Sequence, residues 1–321
     1  MASDRLPPPE VFDQHTLIEY VETAMLVESI EHLSIAELLN RFPAGQKPDA
    51  SDLGLIRSEV RERYDIIGDR YPYRADSAGV ERVAGDTALY DFLLLASLEY
   101  APFRQENAYT GVNRIFDLVV REALKAHLGK RSDAVRFGTP VSDGRPQDFI
   151  EAVSWLAGLM GTPEGRMDRP ADDNDAGVDV VAWRHFADHR AGFPVILAQD
   201  TLQLDFELKV GRIPLESWKK WLDIGPSPQT ALAVPFNIRR GDDRWMKVTT
   251  DTALLLDRLR LCELLRERTW SDEPEWEQAL QIVDVQRLGV LGCVDADETR
   301  TPRVAKPRKQ KHSAHRDPRR R

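Results

Sequence analysis

ADDNDAGVDVVAWRHFADHRAGFPVILAQD, residues 171–200, holds two short β-branched runs, VDVVAW at 178–183 and PVILAQ at 194–199. A polar connection containing Gly192 separates them. Runs of this length and composition, parted by a turn-rich segment, predict an antiparallel β-hairpin. Each run carries one polar residue, Asp179 and Gln199. In hairpin register these two face each other, with Cβ atoms about 4.5–5.5 Å apart. A carboxylate buried without a partner costs on the order of several kcal/mol, so a cation, water or hydrogen-bond donors must complete the site. A divalent ion suits it, because Mg²⁺ is held by one or two carboxylates together with waters and phosphate oxygens.

Outward from the hairpin, the upstream sequence is helical. Apolar residues recur at helical spacing from Thr16 to Arg41, and Ser34 followed by Glu37 gives a capping-box start for a second short helix. Leu53, Ile56, Val60, Tyr64 and Ile67 mark one face of another helix, which ends near Gly68 and the Tyr71-Pro72 pair. Residues 87–100 are apolar nearly all round, as a buried helix is. Residues 1–105 therefore form a mainly helical N-terminal region. Asn113 is expected to cap a helix running to about Leu128, with Ile115, Phe116, Val119, Ala123 and Leu124 inward. A connector with Phe137, Gly138 and Pro140 leads to a helix at 147–160. Downstream, a helix bears Trp218 and Trp221, the apolar run at 231–238 reads as a strand, and a last helix covers 252–267. The fold class is mixed α+β, with helices around a small central sheet.

The chain of 321 residues, 42% hydrophobic and 30% charged, can bury a sizeable core. No apolar run approaches the roughly 20 residues of a membrane span, and the N-terminus lacks a basic segment followed by an apolar one. Cys262 and Cys293 make neither a disulfide framework nor a zinc site, and a cytoplasmic location is expected. The net charge of -9 is unevenly spread: residues 300–321 hold ten Lys or Arg and one acid, Asp317. Such a segment cannot bury enough apolar surface to fold, so residues 291–321 are expected to be a disordered basic tail. Arg308, Lys309, Lys311, Arg319, Arg320 and Arg321 are its candidate phosphate contacts. A solubilising tail, or one folded back on the acidic body, is the other reading. Neither a G-x-x-x-x-G-K-[ST] loop nor a Ser/His/Asp arrangement is present, which argues against ATP use and serine-type hydrolysis.

Asp175, Gly177 and Asp179 in DAGVD match a D-x-G-x-D pattern, and ILAQDT supplies an apolar run ending in Gln. With these motifs the chain resembles the PD-(D/E)xK (restriction endonuclease-like) nuclease superfamily, in particular its Mrr-like branch. That branch commonly ends its second strand in Q-x-K, whereas Thr201 stands here at the lysine position. Some members carry the lysine on a following helix, and Lys209 in LDFELK is the counterpart. The family also places an acid on the first helix of the nuclease core, often after Phe, and Asp117 follows Phe116. The resemblance covers about residues 113–268 and implies a restriction endonuclease-like sheet within residues 106–290. It further implies an endonuclease dependent on Mg²⁺ (or Mn²⁺), acting in bacterial defence or restriction. Asp179 is then the principal metal ligand, Gln199 a ligand or the holder of a metal-bound water, and Asp117 an assisting ligand. Lys209 orients water or offsets phosphate charge, and Asp175 shapes the turn in a supporting role. The implied partner is nucleic acid, DNA ahead of RNA, with protein partners at the helical N-terminal region and a homodimer as further expectations. The alternative is a catalytically inactive nuclease fold that binds nucleic acid or assembles a complex, which Thr201 favours.

Overall fold

In the computed structural model the chain is described over residues 5–9, 14–97, 106–165, 175–239, 241–252 and 254–270 and parts of 275–283, with backbone alone at 14–15 and 106–110. The N-terminal part contains α1 (Gln14–Val27), β1 (His32–Ser34), α2 (Ile35–Arg41), α3 (Ala50–Ile67), β2 (Tyr73–Ala75), β3 (Gly79–Arg82) and α4 (Ala88–Ala96). The capping box forms: Ser34 Oγ accepts from the Glu37 N–H at 3.2 Å, and Glu37 Oε2 accepts from the Ser34 N–H at 3.0 Å. α3 stops at Gly68, whose φ of +61° suits glycine. Between helices lies a small antiparallel sheet in the order β1-β3-β2.

The remainder consists of α5 (Glu106–Leu128), β4 (Ser132–Arg136), α6 (Phe149–Leu159), β5 (Val180–Arg184), β6 (Val195–Asp200), α7 (Leu215–Trp221), β7 (Gln229–Ala233), α8 (Asp243–Asp251), β8 (Leu254–Leu256) and α9 (Arg258–Leu264). The hairpin is β5 paired antiparallel to β6, with Val180 opposite Ala198 and Trp183 opposite Val195. Three expectations change. Asn113 lies inside α5, because the helix already runs from Glu106. Part of the expected connector is β4, an edge strand paired with β5. The expected helix at 252–267 divides, since Leu254–Leu256 pairs in parallel with β7 and Asp257 then caps α9, its side chain accepting from the Arg260 N–H at 3.0 Å. β7 itself ends at Ala233, two residues before Pro235, which has no N–H to give a ladder.

The central sheet is mixed, in the order β4-β5-β6-β7-β8, antiparallel across the first two pairings and parallel across the last two. Strand alternation sorts its two faces. Val180, Ala182, Ile196, Ala198, Ala231 and Ala233 join the core formed with α5 and the N-terminal helices. Val181, Trp183, Val195 and Leu197 pack with Phe149 and Leu156 of α6 and Trp218 and Trp221 of α7. The sheet is thus a layer between helices, continuous in its apolar packing with the N-terminal part. Buried charges reinforce that junction. Arg63 Nη1 lies 2.8 Å from Glu22 Oε1, Arg258 Nη2 lies 2.9 Å from Glu19 Oε2, and the Tyr90 hydroxyl donates to Glu22 at 2.6 Å. Burial alone would push Glu22 strongly toward its neutral form; the guanidinium groups oppose this. Among the described residues no helix is long and apolar enough to cross a membrane.

Candidate active site

A cavity of about 700 Å³ opens where β6 ends, and Asp117, Asp179, Gln199, Asp200, Thr201 and Lys209 all line it. Helix α5 carries Asp117, the residue before β5 is Asp179, the last two residues of β6 are Gln199 and Asp200, and a short 3-10 turn, Phe206–Lys209, brings Lys209. Asp175 builds the approach to β5. Its Oδ1 accepts from the Gly177 N–H at 2.9 Å, its carbonyl from the Val178 N–H at 3.1 Å, and its Oδ2 from the Thr139 hydroxyl at 3.2 Å. Ala176 and Gly177 take φ of +48° and +75°, so the chain turns sharply into the strand.

Asp179 is held on three sides. Its carbonyl accepts from the Phe137 and Gly138 N–H groups at 2.7 and 3.0 Å, and its own N–H donates to the Ala198 carbonyl at 2.9 Å. Its Oδ2 accepts from the Asp200 N–H at 2.9 Å, which ties the carboxylate to the end of β6 beside Gln199. Gly138 makes room for it: a Cβ there would stand 2.8 Å from Asp179 Oδ1. Asp179 and Gln199 therefore share one cavity, as the hairpin reading required.

Asp200 is the residue that the sequence reading did not single out. Alternation along β6 puts it on the side of Ala198, facing α5, while Gln199 takes the side of Leu197. On that side it meets Asp117, and the two carboxyls share a hydrogen bond that raises the affinity of Asp200 for its proton and lowers that of Asp117. Burial, first, and the Asp179 charge push Asp117 up to about 7. Burial and the charges on Asp117 and Asp179 hold Asp200 well above the carboxylate range. Asp179 is pushed up to about 6, again chiefly by burial; the Asp200 N–H and the Lys209 ammonium oppose the rise and Asp175 adds to it. Asp200 Oδ2 is buried and has no hydrogen-bond partner among the described residues.

These groups are hard oxygen donors crowded together with one nearby ammonium, a set that suits Mg²⁺ or Mn²⁺. Among the described residues no group of three or more His, Cys, Asp or Glu side chains is placed to hold a metal ion. An open site with one or two carboxylates, the Gln199 amide oxygen and waters is the arrangement these residues fit. Thr201, at the position where the resemblance expects lysine, is buried, and its Oγ1 accepts from the Gln203 N–H at 3.1 Å. It shapes a turn. Arg212 also lines the cavity, with its Nε donating to the Leu208 carbonyl at 2.8 Å.

Other side chains fall elsewhere. Trp218 and Trp221 are buried against Phe149, with centroid distances of 6.2 and 5.2 Å, so neither offers a face to a base. His185 and His189 lie in the β5–β6 connection with ring centroids 5.7 Å apart, and neither lines the cavity. Cys262 is free and buried, whereas Cys293 lies outside the described residues. The tail residues Arg308, Lys309, Lys311, Arg319, Arg320 and Arg321 also lie outside them. No protein-family model, curated protein or solved structure matches the chain.

Proposed function

We propose that the chain is a metal-dependent nuclease that hydrolyses phosphodiester bonds, with its site in the cavity at the end of β6. The observation that carries this reading is the convergence of Asp117, Asp179 and Asp200 from three separate segments, with Gln199 and Lys209, on that cavity. Electrostatic strain of this kind is characteristic of functional sites: burial raises all three carboxyls, the Asp179 charge raises Asp117 further, and the charges on Asp117 and Asp179 raise Asp200. Asp179, Asp117 and the Gln199 amide oxygen would hold Mg²⁺ or Mn²⁺ together with waters. When bound, the ion supplies positive charge beside the phosphate and lowers the pKa of a water. Lys209 faces Asp179 and Asp200 closely enough to lower the proton affinity of both, a position from which it can orient water or offset charge on a phosphate oxygen. Arg212, anchored through Nε, adds a second cation to the cavity wall.

The substrate class is nucleic acid, with DNA placed ahead of RNA, and bacterial defence or restriction is the setting that the resemblance suggests. Within that proposal the chain takes a restriction endonuclease-like fold. The acidic body repels a polyanion, which gives the basic residues of 300–321 a role in capture. A second reading, a nuclease fold that binds nucleic acid without cutting it, is favoured by Thr201, whose buried hydroxyl serves a turn at the usual lysine position. The test incubates full-length protein with single- and double-stranded DNA and RNA in Mg²⁺ or Mn²⁺, beside Asp179→Asn. Cleavage by wild type alone supports the enzyme; binding without cleavage in either metal moves the conclusion to the second reading.

A further inference from the structure

A second cavity, of about 420 Å³, opens between α3, the segment after β7 and α9, and shares no lining residue with the first. Its volume is within the roughly 300–1,000 Å³ range of small-molecule sites. Two of its polar lining residues are almost wholly buried, Arg63 at 1% exposure and Asn237 at 5%. The Asn237 side chain has no hydrogen-bond partner among the described residues. The Arg63 guanidinium is engaged by the protein, its Nη1 lying 2.8 Å from Glu22 Oε1 and its Nη2 3.0 Å from Glu19 Oε1. An amide so nearly buried and without a protein partner is uncommon, so its place on the cavity wall calls for an occupant.

The rest of the lining narrows its chemistry. The Trp245 ring forms part of the wall, with the Arg260 guanidinium 4.4 Å from its centroid. Ile238 and Leu259 are apolar, and Glu59, Glu62, Arg239 and Arg260 add both signs of charge. An amide that both donates and accepts matches the edge of a heterocyclic base. An aromatic wall matches the base's face. We propose that this cavity binds a nucleoside or nucleoside monophosphate. The base edge meets Asn237, the ring packs by Trp245, Glu59 or Glu62 accepts from ribose hydroxyls, and one phosphate pairs with Arg239 or Arg260. A polyphosphate would place several negative charges beside Glu59, Glu62 and Asp257, and a lone anion would leave the Asn237 amide oxygen unmet. This inference stands apart from the nuclease reading, because it uses none of the same residues.

The experiment is calorimetric titration of the full chain, in EDTA, with adenosine, guanosine, cytidine and uridine and their 5′-monophosphates. At least one should bind saturably with one site per chain. Asn237→Leu should weaken it at least tenfold without lowering the thermal midpoint, since it removes an unpartnered buried amide; Trp245→Leu should weaken it similarly. Asp179→Asn should leave it unchanged. No saturable binding overturns the proposal, as does binding that survives both cavity variants. Equal displacement of the ligand by inorganic phosphate, or by an amino acid, also overturns it, because the cavity would then read charge and not a base.

Discussion

Asp179→Asn swaps a carboxylate for an amide of nearly the same shape, and its effect on stability can be worked out with its sign. Burial and Asp175 push the Asp179 carboxyl from 3.8 up to about 6 in the folded chain, against the pull of the Asp200 N–H and Lys209. The folded state therefore holds this proton more tightly than the unfolded state. That contribution is fully present below pH 3.8 and is lost as pH rises through about 6. At about 1.4 kcal/mol per pH unit, ionising Asp179 costs the metal-free fold about 3 kcal/mol at pH 8. The amide oxygen of the replacement side chain can still accept from the Asp200 N–H, so the variant keeps that bond and drops the charge. Urea unfolding in EDTA should show the variant gaining on wild type by about 2–3 kcal/mol between pH 4 and pH 8. Saturating Mn²⁺ should narrow or reverse the gap, because it stabilises only the chain that binds it. A pH-independent gap would refute the view that Asp179 is held as a strained carboxylate.

Gly138→Ala sets a methyl 2.8 Å from Asp179 Oδ1 and 3.1 Å from its Cα, so cleavage should fall at least tenfold, about 1.4 kcal/mol in kcat/KM, with a smaller shift in the urea midpoint. Trp218→Ala removes a fully buried ring that meets Phe137 at 5.4 Å and Trp221 at 5.4 Å; denaturant unfolding should report a loss of about 3–5 kcal/mol. Deleting the residues after Thr299 removes ten cations, which should flatten the slope of log affinity for DNA against log salt by about 0.9 per lost phosphate contact on duplex. An unchanged slope would remove the tail from nucleic-acid contact.

The parts of the fold that were legible have strong local signals. Ser34 and Glu37 make a cap whose bonds close within one turn, and the Val- and Ile-rich runs around 180 and 196 pair as their pattern predicts. β4 was hidden because Ser132, Asp133 and Arg136 occupy three of its five places; it is an edge strand, and only partner β5 gives it a ladder. β8 was hidden for the opposite reason: Leu254, Leu255 and Leu256 are good helix formers, and parallel pairing with β7 overrides that preference. Asn113 looked like a cap because Asn favours that place, yet α5 begins before it, and the residue lines the cavity from inside the helix. At the site, Asp179 and Gln199 stood out as lone polar residues in apolar runs. Asp200 closes the same run, where a terminal Asp reads as a turn residue. What makes it notable is the long-range contact with Asp117, which strand alternation points toward and only the packing of α5 on the sheet brings about.

The central claim, that the cavity at the end of β6 holds a divalent cation, is tested most directly by anomalous diffraction from crystals grown or soaked with Mn²⁺. One strong anomalous peak is expected in the cavity within ligand distance of Asp179, with Asp117 or Gln199 as a second protein donor, and it should disappear in Asp179→Asn. A cavity without that peak at saturating Mn²⁺, or a peak bound only by residues elsewhere in the chain, would contradict the claim.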